Sequence, residues 1–368
     1  MAPLPPPPSV RRRLTFREPA PDPGPWELPH GLLVRRCPEN SDVRGYSHYV
    51  VSPRDLRDIV SLADFATTHD PNSASNLNVP VLQRLRAPCQ RLLDMVGLGD
   101  VKHSVFELVM YHMQRLHSVE GDLLHTAVFG APGVGKTMLI AILGEVYAAL
   151  GVVRGDGPVV HARRCDLIGQ FLGQTAIKTS AVIQSAHGGV LVIDEAYSIG
   201  QTEEGRDIYA AECVNTLNQA LTEQRADFVC IIAGYEEAIE RCFFKVNPGL
   251  ERRFTHRFHL PDCDATALAA IFRAKVNAAG WDMDAPTVGR DAFWAENKRY
   301  FTFNGGDVET FFARVRMAHA VRVFALPRRA KRRVNQADFD AGFESFRALD
   351  NVKRRGEPEN ASFAHMYL

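Results

Sequence analysis

No uninterrupted apolar run in this 368-residue chain approaches the roughly twenty residues that cross a bilayer, so a membrane-spanning helix is not expected. A secretory signal is missing too, because the first residues are rich in proline where an apolar stretch would be needed. Net charge is absent: 43 Lys and Arg balance 43 Asp and Glu, and no global field draws the chain to nucleic acid or an anionic membrane. The seven cysteines (Cys37, Cys89, Cys165, Cys213, Cys230, Cys242 and Cys263) are odd in number and scattered, with no C-x-x-C pair and no metal-ligand spacing. A disulfide framework and a zinc site are therefore not expected, and a reducing compartment is. Together these absences predict a soluble, cytoplasmic protein. Arg11-Arg12-Arg13 and Arg17 keep an organelle interior open as an alternative, and a basic run near the C-terminus does the same for the nucleus.

What the chain does have is ordinary globular material, 46% hydrophobic and 23% charged, enough for two or three compact units with a full core. Its most informative stretch is Gly130-Ala131-Pro132-Gly133-Val134-Gly135-Lys136-Thr137, which matches the phosphate-binding pattern G-x-x-x-x-G-K-[ST] at every position. Glycines let backbone N–H groups turn inward around an anion. Lys136 can reach the β- and γ-phosphates, and the Thr137 hydroxyl can ligate Mg²⁺. The context fits: His125–Phe129 reads as a short buried strand before the loop. Leu139, Ile142, Leu143, Val146 and Leu150 then form one helical face, closed by Gly151.

A second half-site follows. Val190-Leu191-Val192-Ile193 is a continuous apolar strand of the kind covered on both faces, and it ends in Asp194-Glu195. Asp194 suits Mg²⁺, and Glu195 suits orienting or deprotonating an attacking water. The two motifs predict a nucleoside triphosphatase of the ATPase or GTPase kind.

Ten of the first thirty residues are proline, which predicts a disordered or polyproline-like arm. Ser52 and Pro53 suit a helix start, with Leu56, Ile59, Val60 and Ala63 on one face, and Asp70–Asn76 reads as a polar linker. Residues 1–85 thus form an N-terminal extension. From 86 to 261 helices alternate with strands, at about 125–129, 159–162, 189–193, 228–233 and 255–260, which predicts an α/β parallel sheet with helices on both faces. Helical patterns at 264–279, 291–299, 307–325 and 336–348 predict a small all-α lid domain over 262–350, followed by a tail, 351–368.

Several motifs in order resemble the AAA+ ATPases of the CbbX/CfxQ group, which includes the red-type Rubisco activases. They are Gly130–Thr137, Asp166–Thr175, Asp194-Glu195, Ala233-Gly234-Tyr235 and Asn247–Phe254. The resemblance runs from about Leu92 to Pro261 and more weakly to about 345. It implies an AAA+ P-loop fold and ATP with Mg²⁺ as cofactors. It also implies a homo-oligomeric ring, a hexamer in the family, that remodels or threads a protein partner. Gly130, Ala131, Pro132, Gly133, Val134, Gly135, Lys136, Thr137 and Met138 would hold ATP, with Gly97 in the adenine pocket and Thr137 and Asp194 on the metal. Phe171-Leu172-Gly173 resembles the aromatic loop that lines the central pore, and Arg253 the arginine finger that acts in the neighbouring subunit. Arg252 either assists or pairs with a surface acid. Two departures stand out. Asn304–Glu309 offers acids where many AAA+ lids carry a sensing arginine, leaving Arg314 or Arg316 for that role or none. At the end of the fourth strand only Tyr235 is polar. The alternative function is a nucleic-acid-associated motor or loader, resting on the basic run Pro327–Arg333.

Overall fold

A computed structural model describes residues 25–37, 48–70, 75–116, 122–171, 173–200, 207–284, 289–327 and 331–356. Trp26–Leu28 (β1), Leu32–Cys37 (β2) and His48–Val50 (β3) form an antiparallel meander, which the proline content of the region hid. Leu56–His69 (α1) follows, capped not at Ser52 but by Asp55, whose carboxylate accepts the N–H groups of Arg57 and Asp58. Asn76, in the expected linker, is pinned: its side chain accepts from Tyr49 N at 2.7 Å and donates to Tyr49 O at 2.8 Å. Val79–Asp94 (α2) runs across the boundary expected at 86 and carries Pro88 inside it. Gly99–Met113 (α3) completes the lead-in.

The parallel sheet then forms from His125–Gly130 (β4), Val159–Ala162 (β5), Val190–Ile193 (β6), Val229–Gly234 (β7) and Phe254–Leu260 (β8), in the order β5-β6-β7-β4-β8. Between them lie Lys136–Leu150 (α4), Arg164–Leu167 (α5), Gln174–Ser185 (α6), Ile208–Glu223 (α7), Glu236–Ala238 (α8) and Pro248–Glu251 (α9). Strand residues alternate between faces, and the two cores follow that alternation. Val128, Val190, Val192, Val229, Ile231 and Ala233 pack with α4 and with Leu56, Ile59, Leu82 and Leu85 of the N-terminal helices. Ala127, Phe129, Leu191, Ile193, Cys230 and Ile232 pack on the other side with Leu217 and Leu221 of α7. The N-terminal region is thus bound into the core of the nucleotide-fold sheet.

The lid consists of Ala265–Ala278 (α10), Asp291–Asn297 (α11), Asn304–Arg322 (α12), Gln336–Arg347 (α13) and Asp350–Gly356 (α14). A two-residue parallel pair, Asp282–Met283 (β9) with Arg333–Val334 (β10), ties it together. Its core is aromatic: Phe272, Trp294, Phe311, Phe339 and Phe346 are almost wholly buried. In parallel sheets wrapped by helices, ligands sit beyond the carboxyl ends of the strands. Both chemical motifs leave the sheet there, Gly130 ending β4 and Asp194 following β6.

Candidate functional site

The loop from Gly130 to Gly135 closes tightly before α4. Gly133 (φ +75°) and Gly135 (φ +103°) take backbone conformations that L side chains rarely adopt. A Cβ at Gly133 would stand 2.0 Å from the Phe303 carbonyl of the lid, and one at Gly135 would stand 3.0 Å from Met95 Cε. Val134 is buried, while Ala131 and Pro132 are half-buried at the turn. Lys136 Nζ donates to the carbonyls of Gly130 and Ala131, each at 2.9 Å, and lies 5.6 Å from the centre of the Tyr235 ring. Thr137 and Met138 are exposed in the first turn of α4, where the helix presents N–H groups without intrahelical partners.

Asp194 and Glu195 are exposed at the end of β6, one strand removed from β4. Asp194 Oδ1 accepts Glu195 N at 3.0 Å, and Glu195 adopts φ +54°, a conformation that costs a non-glycine residue about 1–2 kcal/mol. That turn is kept by Ser198 N, which donates to Glu195 O at 2.8 Å. Partial burial raises the Glu195 carboxyl above the ordinary glutamate value, the Asp194 charge adds to this, and the Lys136 ammonium opposes it. The two halves of the site therefore feel each other's charge. A cleft of about 770 Å³ opens beside Glu195, lined also by Arg163, Arg164, Cys165, Ile168 and Lys178.

Gly97 lies in the turn between α2 and α3, at φ +69°. Lys102 clamps that turn by donating to Leu93 O at 3.1 Å and Met95 O at 2.7 Å. Because Met95 abuts Gly135, the Gly97 turn stands beside the phosphate-type loop. Neither Met95 nor Lys102 carries a sequence signal that singles it out.

Comparison with known proteins bears directly on this arrangement. Residues 126–262 match the family model described as the ATPase family associated with various cellular activities (AAA). A cfxQ-like protein of Acanthamoeba polyphaga mimivirus is 34% identical over 295 residues, covering 79% of this chain and 71% of that protein. A chloroplastic ribulose bisphosphate carboxylase/oxygenase activase of Cyanidioschyzon merolae is 35% identical over 240 residues, 63% of this chain and 77% of the activase. Protein CfxQ of Xanthobacter flavus is 33% identical over 238 residues, 62% of this chain and 74% of that protein.

This chain is an AAA+ ATPase of the CbbX/CfxQ group. It binds nucleotide and hydrolyses ATP. No helix among the described residues is long and apolar enough to cross a membrane.

Several expected residues of this AAA+ ATPase lie away from the loop. Arg253 stands before β8, at the opposite end of the sheet from Gly130: His125 pairs with Phe254 and Gly130 with Leu260. Seven strand residues at about 3.3 Å each separate the two ends by roughly 20 Å, beyond the reach of a side chain. Arg253 is half-buried, and its Nε has no hydrogen-bond partner among the described residues. Its charge adds to the burial that pushes the His125 imidazole down to about 4. Phe171 is 66% exposed, and Gly173 (φ +80°) begins α6; Leu172 lies outside the described residues. Ile177, one turn into α6, is also exposed. The lid meets the loop differently from the arginine expectation. Arg316 turns to Trp281 and Phe312, at 5.9 and 5.7 Å from their ring centres. It and Arg314 lie at least nine residues along α12 from the contact, roughly 14 Å or further, because a helix rises about 1.5 Å per residue. The contact itself is made by Asn304 and Gly305.

Proposed function

We propose that copies of this ATPase close into a head-to-tail ring, a hexamer, that hydrolyses MgATP at shared sites and uses the cycle to pull on a protein partner. Residues 86–261 serve as the nucleotide-binding domain and 262–350 as its lid, with 1–85 an N-terminal extension whose helices α1 and α2 pack on the former. The observation that carries the reading is the exposed aromatic Phe171, set on a glycine-bounded turn next to Gln170, which lines the same cleft as Glu195. Large rings give contact area with little dependence on the partner's sequence.

In the cycle, backbone amides from Gly133 to Met138 hold the phosphates, Lys136 neutralises charge on them, and the Gly97 turn covers the base. Glu195 takes the proton of the attacking water, for which a raised carboxyl is suited. Thr137 and Asp194 would hold Mg²⁺: a hydroxyl and a carboxylate are hard oxygen donors, and this ion binds through one or two protein groups plus phosphates and water. When bound, the ion supplies charge neutralisation and a template for the phosphates. Arg253 completes the neighbour's pocket, which agrees with its distance from its own loop. The head-to-tail geometry follows, since one surface donates the guanidinium and a different one receives it.

The relatives named as Rubisco activases suggest a folded protein complex as client, though nothing in this chain names which. Seven free cysteines suit a reducing interior. The nucleic-acid reading gains little: in the basic run, Arg333 is paired with Asp284, and Arg328–Ala330 lie outside the described residues.

With ATP bound, the Glu195→Gln protein is expected to retain a polypeptide partner from extracts of its host. Adding Phe171→Ala should cut that retention by at least about tenfold, the loss typical of truncating an aromatic hot spot. Equal retention with and without the ring would exclude threading at Phe171. Salt-sensitive retention of nucleic acid instead would favour the motor reading.

A further inference from the structure

The start of α12 is bonded to the outer side of the phosphate loop. Gly305 N donates to Gly133 O at 3.0 Å, and Asn304 Nδ2 reaches Pro132 O at 3.3 Å. Asn304 is 3% exposed and is itself held on the hinge between the two domains. Its Nδ2 donates to Asp262 Oδ1 at 3.1 Å, and its Oδ1 accepts Cys263 N at 2.8 Å. It sits at φ +48°, a conformation asparagine tolerates better than most residues. The turn beneath it is clamped from α14: Arg355 Nη1 donates to Tyr300 O and Asp307 Oδ2, each at 2.7 Å, and its guanidinium lies 4.6 Å from the Phe303 ring centre.

A trans peptide is planar, and its C=O and N–H point in opposite directions. Fixing the Pro132 and Gly133 carbonyls on the lid side therefore directs the N–H groups of Gly133 and Val134 to the inner side of the loop. We propose that Asn304 is a positioning residue for ATP: with Gly305 it holds these two carbonyls outward so that the amides face the triphosphate before it arrives. This rests on reading Gly130–Thr137 as the triphosphate cradle. Uncharged bonds to the back of the loop thus do the work of coupling lid and nucleotide, without an arginine at the front. By linkage, bound nucleotide stabilises the docked lid by the same factor that the docked lid tightens nucleotide.

The test compares the full chain with Asn304→Gly, Asn304→Asp and Lys136→Ala, by equilibrium binding of a fluorescent ATP analogue with Mg²⁺, steady-state turnover and thermal melting. Asn304→Gly keeps the backbone conformation and removes the side-chain bridge, and should raise the KM for ATP and the analogue's Kd roughly 3–30-fold, the effect of one or two hydrogen bonds, with a smaller change in kcat. Asn304→Asp faces the Pro132 and Asp262 oxygens with an acceptor, and should bind more weakly still. Unchanged KM in both variants overturns the proposal, as does a lower kcat and melting temperature at unchanged KM, which would mark a packing role. If Lys136→Ala binds the analogue like the wild type, the cradle reading itself fails and takes this proposal with it. That result is distinct from a silent Asn304 beside a dead Lys136→Ala.

Discussion

Replacing Glu195 by glutamine is expected to lower ATP turnover by roughly 10²–10⁴-fold, the usual worth of a positioned general base, while ATP binding stays close to wild type. Binding should survive because, in the proposed site, the loop amides and Lys136 hold the phosphates without Glu195, and glutamine keeps the volume. Only the acceptor for the water's proton is lost. The strained backbone at Glu195, held by Asp194 and Ser198, does not depend on the charge either. A pH profile sharpens the test. Burial and the Asp194 charge favour the protonated carboxyl, so its titration lies above the ordinary glutamate value. The base works only when ionised. Wild-type kcat should therefore be fully present above that raised value and fall as the pH drops through it, and Glu195→Gln should lack this limb. A variant that turns over ATP at wild-type rate, or one that loses ATP binding along with turnover, would remove Glu195 from the role of base.

Much of this site was legible because its signals are local. The phosphate-type loop needs only eight consecutive residues with a strand before and a helix after, and β4 and α4 stand where the apolar spacing put them. The central strands, apolar on both faces, left continuous runs that turn residues bounded within a residue or two, as at β6 and β7. Gly151 ends α4 at φ +79°, as a glycine after a periodic run should.

The parts that escaped depend on distant partners or misleading residues. Asn304 bonds to Pro132 across 172 positions, and nothing near it in sequence announces that contact. Met95 matters to the loop only because α2 delivers its methyl to Gly135. That helix was obscured by Pro88, which reads as a breaker. The meander β1–β3 has strands of three and six residues beside a proline-rich stretch, too short for alternation to register. Asp55 displaced Ser52 as a cap because its Oδ1 accepts the N–H groups of both Arg57 and Asp58 in the first turn. For Arg253 the chain gives a place but no purpose within its own fold, where its buried Nε meets no hydrogen-bond partner among the described residues.

That last point yields the most discriminating experiment. Arg253→Ala should lower turnover roughly 10³-fold or more, the range for a guanidinium that stabilises the transferring phosphoryl group, and Arg253→Lys should recover little because a point charge does not reproduce the planar fork. Leaving the Arg253 Nε buried without a partner costs about 1–3 kcal/mol, so a role confined to stability predicts a variant at least as stable as wild type and fully active. A role in the neighbour's site predicts something no intramolecular account does. Arg253→Ala subunits keep Lys136 and Glu195, and Glu195→Gln subunits keep Arg253. Each is inactive alone, yet in mixed rings a site works wherever an intact pocket meets an intact guanidinium across the head-to-tail interface. For random 1:1 mixing and independent sites, half the pockets are intact and half of their neighbours supply the arginine, giving about one quarter of wild-type turnover. Recovery should rise and fall with the product of the two fractions as the ratio is varied. Mixtures that stay dead at every ratio, after subunit exchange has been verified, would place Arg253 outside its neighbour's pocket and leave the ring without its shared site.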